Sequence, residues 1–539
     1  SVTLSHSYAV PIHYSKLGGN KKNILISLLL LFNIPLSLIR NIWGYLVLRV
    51  PQLLPVGVFF YDLGTKTIGR LSDEKERSFL ASYLNIDRKK INSYNHHLSH
   101  AAAAYYASPF NRKKALVVTA DGEGDLFSAT VSIFNGTKYQ VISKTRREQS
   151  LGYLYAYLTE FLGMKSNEHE YKVMGLAAYA KSEDVEKLYR RIEHIVKVDR
   201  KNFSFVTTLN MTDAKRYFRT YMQSIRFDIL AGAFQLLLER RICEWIQYAV
   251  MRTRVQTVIL SGGVFMNVKV NQKIAKLSEV KEVFVLPSCG DESSILGSSY
   301  LEYLQRNRGN KKQLHIPPIE NIYWGPSFTN DDIKKVLKAT RSYQKYTIQK
   351  VDAIDTFVAK LLADGHIVAR LSGRMEFGAR ALGNRSILAD PRNYLVVRRI
   401  NELIKNRDFW MPFAASILQE RESDYIKNPK HIRSPYMMMT FDCTEKGKND
   451  LPAAIHQSDF TTRPQIVTRE QNSSYYRVIS EFEKLTGVGA VLNTSFNLHG
   501  YPIVLGPKEA LETFEKSGLT HLVLENFLVV KRNRTKKKE

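Results

Sequence analysis

A chain of 539 residues is long for a single core and points to two or more domains. Its net charge of +27, from 78 Lys+Arg against 51 Asp+Glu, fits anionic small molecules, nucleic acid or a membrane surface without choosing among them. Cys243, Cys289 and Cys443 lie far apart with no CxxC pair, which argues against a disulfide framework or a thiolate zinc site and leans toward the cytoplasm.

In chain order, residues 23–39 form the most apolar run, interrupted by Asn33 and Pro35. The uninterrupted part falls short of the roughly 20 residues of a spanning helix. No small-residue cleavage site follows, so a buried core helix is expected, with neither a membrane element nor a signal peptide. A strand is expected over 56–64 and an amphipathic helix over 75–85. INSYNHHLSHAAAAYYASPF (91–110) is more specific: Asn95, His96, His97 and His100 open a helix of small residues. His96 and His100 are four apart, so both imidazoles face one side of the helix, a spacing that suits two ligands of one Zn or Fe ion.

ALVVTADGEGD (115–125) reads as a buried strand ending in an acidic glycine turn, Asp121-Gly122-Glu123-Gly124-Asp125. Strand ends of this kind are where α/β folds place metal- and phosphate-handling groups. A strand pair with its turn at Asn135-Gly136 is expected next, over 126–144. EHEYKVMGLAAYA (168–180) carries Lys172, and 227–250 has the spacing of a core helix. Two more strand–turn–helix units follow. One bears Ser261-Gly262-Gly263 with Asn267 and Asn271; the other has Asp291 at the turn. Glycines there allow close approach to a nucleotide. Asp121 and Asp291 together with His96 and His100 would make a mixed site suited to Fe, Mn or Zn. Charge, Pro and Asn over 305–321 mark a linker, and the domain boundary is placed by about Phe328.

The second half opens with a helix, DIKKVLKAT, and a strand, HIVARLS (366–372), from which the arginines of GRMEFGARALGNRSILADPR (373–392) are expected to emerge into a loop. Arg374, Arg380, Arg385 and Arg392 crowd into this stretch among Gly373, Gly378 and Gly383, with only Glu376 and Asp390 to balance them. Guanidinium forks and glycine-exposed amides suit phosphate oxygens; the alternative is a salt-bridged surface loop. Lys405 and Arg407 add basic groups, FAASI and PYMMMTFD (435–442) read as strands, and a polar loop carries His456 and Arg463. PQIVT follows, and a further strand (487–504) ends in Asn493-Thr494-Ser495-Phe496-Asn497, a cluster of small donors or a plain turn. After HLVLENFLVVKR the chain closes on a basic tail, 532–539.

HHLSHAAAAYY, EYKVMGLAAYA, SGGVFMN, CGDESSILG, GRMEFGARALGNRSILADPR, IKNRDFWMPFAASI and LNTSFNLHGYPIV, in this order, resemble the O-carbamoyltransferase family of nodulation-factor, cephem and aminoglycoside enzymes. The resemblance implies an α/β fold of two domains. An actin/Hsp70-like (ASKHA) carbamoyl-transfer domain would occupy 1–325 and a YrdC-like carbamoyladenylate-forming domain 326–531. The activity it implies is ATP-dependent O-carbamoyl transfer. Carbamoyladenylate would be made from carbamoyl phosphate and ATP (with Mg2+), releasing pyrophosphate. The carbamoyl group would then pass to a hydroxyl of a small-molecule natural product, with an iron ion (Fe2+) at the transfer site.

By the same resemblance His96, His100, Asp121 and Asp291 would hold the metal. Gly122, Gly124, Lys172, Gly262, Gly263 and Asn267 would contact the adenylate. Arg374, Arg380, Asn384, Arg385, Lys405, Arg407, Arg463, Asn493, Ser495 and Asn497 would cradle ATP and carbamoyl phosphate. His96, Asp121, Arg374, Arg385 and Arg407 are expected to act catalytically, and His97 is a candidate for taking the hydroxyl proton. The family's opening hairpin with an Asp/His pair is not found, so several dozen N-terminal residues are expected to be missing. Two local departures are Glu292-Ser293-Ser294 after the metal Asp and Ala379 in place of a proline. The competing readings are a threonylcarbamoyl-tRNA enzyme and a basic nucleic-acid-binding protein. The latter would interleave basic residues with exposed aromatics. Here the aromatics lie mostly in apolar runs, so no nucleic-acid partner is expected.

Overall fold

A computed structural model describes residues 2–5, 73–209, 211–307 and 316–532. Ser1–Tyr94 and Asn95–Glu539 form two compact units. In the first, strand Val2–Ser5 pairs in parallel with Ile91–Tyr94. The expected amphipathic helix runs over 73–84. Its Arg77 joins Asp73 at 3.0 Å and donates to the Ile91 carbonyl at 3.2 Å. The apolar helix expected over 23–39, the strand over 56–64 and the basic tail from residue 533 lie outside the described residues.

The second unit holds two α/β layers. Its first sheet has five strands in the order Lys138–Arg146, Phe127–Asn135, Ala115–Gly124, Thr257–Ser261, Glu282–Val285. The first three form an antiparallel meander, hinged at Gly136 with φ +60. The last three run parallel, in the register Leu116↔Val258 and Val258↔Val283. Parallel neighbours need long crossovers, and these contain helices Phe227–Thr253 and Val268–Lys276. Parallel strands covered on both faces read as unbroken apolar runs, and Thr257–Ser261 is buried throughout. As a result three carboxyl ends converge: the end of strand Ala115–Gly124, which from Asp121 stays extended with a bulge where a turn is expected and turns only at 125–126, the Ser261-Gly262-Gly263 turn and the Ser288–Asp291 turn.

Helix His96–Ala107 packs on helix Ser294–Arg306 beside these ends. Asn95 caps it, its side chain accepting from the Leu98 amide at 3.0 Å. Ala101–Ala104 are fully buried, and a Cβ at Gly297 would collide with the Ser99 carbonyl, so small residues bring the two helices close.

The second sheet has eight strands in the order Tyr346–Lys350, Phe527–Lys531, His521–Leu524, Val368–Leu371, Arg385–Ala389, Ala490–Ser495, Ala414–Leu418, Gln465–Val467. Two expectations fail here. PYMMMTFD is a strand only at Phe441–Asp442; Met437 at φ +57 breaks the extended run. Arg385 does not emerge into a loop, because residues 385–389 turn back as a buried strand antiparallel to Val368–Leu371. Among the described residues no helix is long and apolar enough to cross a membrane.

Candidate active site

The three convergent strand ends and the capped helix bring four donors to one point. The Nε2 atoms of His96 and His100 are 3.1 Å apart. Asp291 Oδ1 lies 3.5 and 3.3 Å from them, and Asp121 Oδ2 lies 4.0 and 3.4 Å away. Ligands that bind one ion at about 2.1 Å stand at separations of this size from each other. The donor set also fits: two imidazole nitrogens and two carboxylates suit a divalent Fe, Mn or Zn ion. A buried polar atom is left over, because His96 Nδ1 has no partner.

Burial should lower the His96 pKa, but the hydrogen bond to Asp121 and the charges of Asp121, Asp291 and Asp125 raise it instead. Burial likewise works to raise Asp121, yet the His96 bond, the His100 charge and the Gly263 N–H hold it well below the usual carboxylate range. The Gly122 and Gly263 amides donate to the two Asp121 oxygens at 2.7 and 3.0 Å. At Gly124 a Cβ would run into the His96 ring. At Gly262, with φ +97, it would meet the Ala120 backbone. Ser261 has no predicted role, yet its hydroxyl lies 3.5 Å from His100 Nδ1, the ring nitrogen facing away from the cluster.

His97 is no base. Its Nδ1 meets Thr119 Oγ1 and its Nε2 meets the Phe127 carbonyl, each at 2.9 Å, and it is 1% exposed. Burial pushes its pKa down to about 4. It fastens the helix to the sheet.

A second cluster is built from loops of the other sheet. Arg380, Arg407 and Arg463 lie close together: burial first, and the charges of Arg380 and Arg407 after it, hold Arg463 well below its usual value. Burial first, and Arg407 after it, push Arg380 down to about 10. No hydrogen bond or ion pair of these three guanidinium groups occurs among the described residues; Arg407 rests 5.2 Å from the Phe413 ring and Arg380 Nε is buried without a partner. Lys405, 1% exposed, donates to Ser495 Oγ at 3.1 Å and to Asn497 Oδ1 at 2.6 Å. Burial and Arg407 push its pKa well below the usual value. Three guanidinium groups without a hydrogen bond or ion pair among the described residues, and one ammonium, make a cluster whose chemistry suits an anion.

Four predicted members do not join it. Arg385 is fully buried and committed to the carbonyls of Leu505, Ser372, Gly373, Asn384 and Pro326 at 3.0–3.3 Å. Arg374 donates to the Gly325 and Trp324 carbonyls at 3.1 and 2.7 Å. The Asn384 amide donates to the Arg374 carbonyl, and Asn493 donates to the Ala381 carbonyl. Each secures a loop from within, its donor bonds going to nearby carbonyls and, for Asn493, to Ser416 and Gln465 as well.

Residues of the first sheet's half reach this cluster. Lys172 pairs with Asp408 at 3.1 Å, beside Arg407, rather than standing over the first sheet's loops. Asn267 caps helix Val268–Lys276 and exchanges hydrogen bonds with Gln235. Gly378 packs on Ser288, where a Cβ would stand 2.9 Å from the Ser288 Cβ, and Arg380 lies near enough to act on Cys289. The loop bearing Arg380 thus lies against the turn that ends in Asp291.

Residues 63–300 match the family model described as Carbamoyltransferase N-terminus and residues 359–531 that described as Carbamoyltransferase C-terminus. The uncharacterized protein MJ1058 of Methanocaldococcus jannaschii is 33% identical over 464 residues, 82% of this chain and 74% of that protein. Nodulation protein NolO of Bradyrhizobium diazoefficiens is 33% identical over 447 residues, 81% of this chain and 79% of that protein. A crystal structure of full-length HypF in its phosphate- and nucleotide-bound form superposes with a TM-score of 0.28 at 14% identity, over 40% of this chain and 43% of that one; so slight a likeness carries no argument.

Proposed function

Because the chain belongs to the carbamoyltransferase family and is an enzyme of carbamoyl transfer, we propose that it works in two steps on two adjoining sites. The first is activation at the arginine cluster, with ATP, its Mg2+ and carbamoyl phosphate as co-substrates. Atom balance requires water, which splits carbamoyl phosphate into carbamate and phosphate. A carbamate oxygen then attacks the α-phosphorus of ATP. The new O–P bond gives carbamoyladenylate as the bond to the β-phosphate breaks and pyrophosphate leaves. Arg380, Arg407, Arg463 and Lys405 bind the polyphosphate and offset the charge that gathers on the leaving pyrophosphate. Ser495 and Asn497 hold the Lys405 ammonium in place.

The second step is transfer at the His96–His100–Asp121–Asp291 site. The hydroxyl oxygen of a small-molecule acceptor attacks the carbamoyl carbon, the bond to AMP breaks, and the hydroxyl proton passes to water. A divalent ion there, iron by resemblance, supplies Lewis-acid polarisation of the carbamoyl carbonyl. The four residues would hold it, with the Gly122 and Gly263 amides steadying Asp121. Closeness of the Arg380 loop to the Asp291 turn supports both steps on one molecule.

The observation that carries this reading is the set of three guanidinium groups that have no hydrogen bond or ion pair among the described residues. Its test is pyrophosphate release from ATP with and without carbamoyl phosphate, which needs no knowledge of the acceptor. Release that depends on carbamoyl phosphate and is lost in Arg380→Ala supports the reading; wild type that binds ATP yet releases none refutes it.

A further inference from the structure

Glu376 lies four residues before Arg380 and is 6% exposed. Its Oε1 accepts three backbone N–H groups, from Leu382 at 2.7 Å, Asn384 at 2.8 Å and Arg385 at 3.2 Å. The carbonyls of the same turn are held by other donors. Asn493 donates to the Ala381 carbonyl at 3.1 Å, and Tyr323 and Gln465 donate to the Leu382 carbonyl at 2.9 and 3.0 Å. Residues 381–385 are therefore bound through both their amides and their carbonyls. A cup of amides closed on one carboxylate is a stiff device, since removing the acceptor strands several buried donors at once.

Arg380 is the residue just before this turn. Among the described residues it has no hydrogen bond or ion pair of its own, and like charges from Arg407 press on it. Its direction is inherited from the backbone of the turn, and that backbone is shaped by Glu376.

We propose that Glu376 is a positioning residue for the phosphate step: by gathering the Leu382, Asn384 and Arg385 amides it aims the unpartnered Arg380 at the bound polyphosphate. This rests on the reading of the arginine cluster as a polyphosphate site. An acidic residue so near an anion site would oppose binding if it acted through charge. It acts here through shape, so the two roles predict opposite signs.

The test is inorganic pyrophosphate binding to the full chain by calorimetry, for wild type, Glu376→Ala, Glu376→Gln, Arg380→Ala and the double variant Glu376→Ala/Arg380→Ala. Glu376→Ala is expected to weaken binding by about tenfold or more. The double variant should bind no more weakly than Arg380→Ala alone, because residues acting as one unit are non-additive. Glu376→Gln keeps a carbonyl oxygen at the same place and should recover most of the affinity. Metal retention at His96 and His100 reports that the chain remains folded. If Glu376→Ala fails to fold, Glu376→Asp, whose carboxylate is drawn back from the amides, takes its place in the same cycle. Affinity at or above wild type in the folded Ala or Asp variant, or losses that add to those of Arg380→Ala, would overturn the inference. Wild type that does not bind pyrophosphate would instead sink the polyphosphate reading, and the inference with it.

Discussion

The two clusters are built on opposite electrostatic terms. At the His96–His100–Asp121–Asp291 cluster two imidazoles face two carboxylates, groups able to offset one another. At the arginine cluster like charges meet, with the neighbouring Asp408 taken up by Lys172, and a surrounding frame of backbone hydrogen bonds holds them. A self-compensating site tolerates being empty. A site of one sign destabilises its own fold until a counter-charge arrives. The two should therefore break in different ways.

The largest effect is expected from His100→Ala. It removes one of two nitrogen donors, so metal analysis should find the ion lost, while carbamoyl-phosphate-dependent pyrophosphate release changes by less than about twofold, since charge stabilisation at the other cluster is untouched. Release falling in parallel with metal would mean that the sites are not separable.

Arg463→Leu should do the reverse. Pyrophosphate release should fall by about 100-fold, as for loss of one oriented donor. The ligand-free protein should unfold at a higher temperature, because a repelled buried charge is gone. A lower unfolding temperature would show that Arg463 has a partner in the resting fold.

Arg385→Lys sharpens the contrast within the arginine stretch. A lysine cannot reach five carbonyls, so unfolding in denaturant should show a loss of about 3 kcal/mol. Pyrophosphate release per folded molecule should remain near that of wild type. Activity lost without loss of stability would return Arg385 to the phosphate site.

The smallest effect is a pH dependence away from both sites. Burial first, and His366 beside it, push His521 down to about 4. Its unfolded value is about 6.5. The unfolded chain then binds the proton more readily, so this contribution is present above about pH 6.5 and is lost as pH falls through about 4. Thermal melts across that window should show a shallower decline for His521→Gln than for wild type. Equal slopes would remove His521 from the acid response.

Much of the metal centre is legible in the amino-acid sequence. The i,i+4 spacing of His96 and His100, the Asn95 cap and the strand ends at Asp121 and Asp291 are local signals, and topology follows from them because parallel strands bring their carboxyl ends to one edge. The Asn135-Gly136 hairpin and the strands Val368–Leu371, Ala414–Leu418 and Ala490–Ser495 of the second sheet are equally readable. The failures have particular reasons. PYMMMTFD carries apolar residues suited to a strand, but one left-handed residue at Met437 breaks it. His97 shares a helix turn with His96 and His100 yet points to Thr119 and the Phe127 carbonyl, which no spacing rule distinguishes.

The amino-acid sequence by itself determined the elements, the histidine pair and the concentration of arginine between Gly373 and Arg392. Which arginines face a ligand was decided only by the tertiary structure. Arg380 and Arg385 are five residues apart and chemically identical; one stands unpaired, and the other is enclosed by carbonyls from residues 326, 372, 373, 384 and 505. A guanidinium takes its role from whichever acceptors converge on it, and convergence from segments this far apart in the chain is a property of the folded molecule alone.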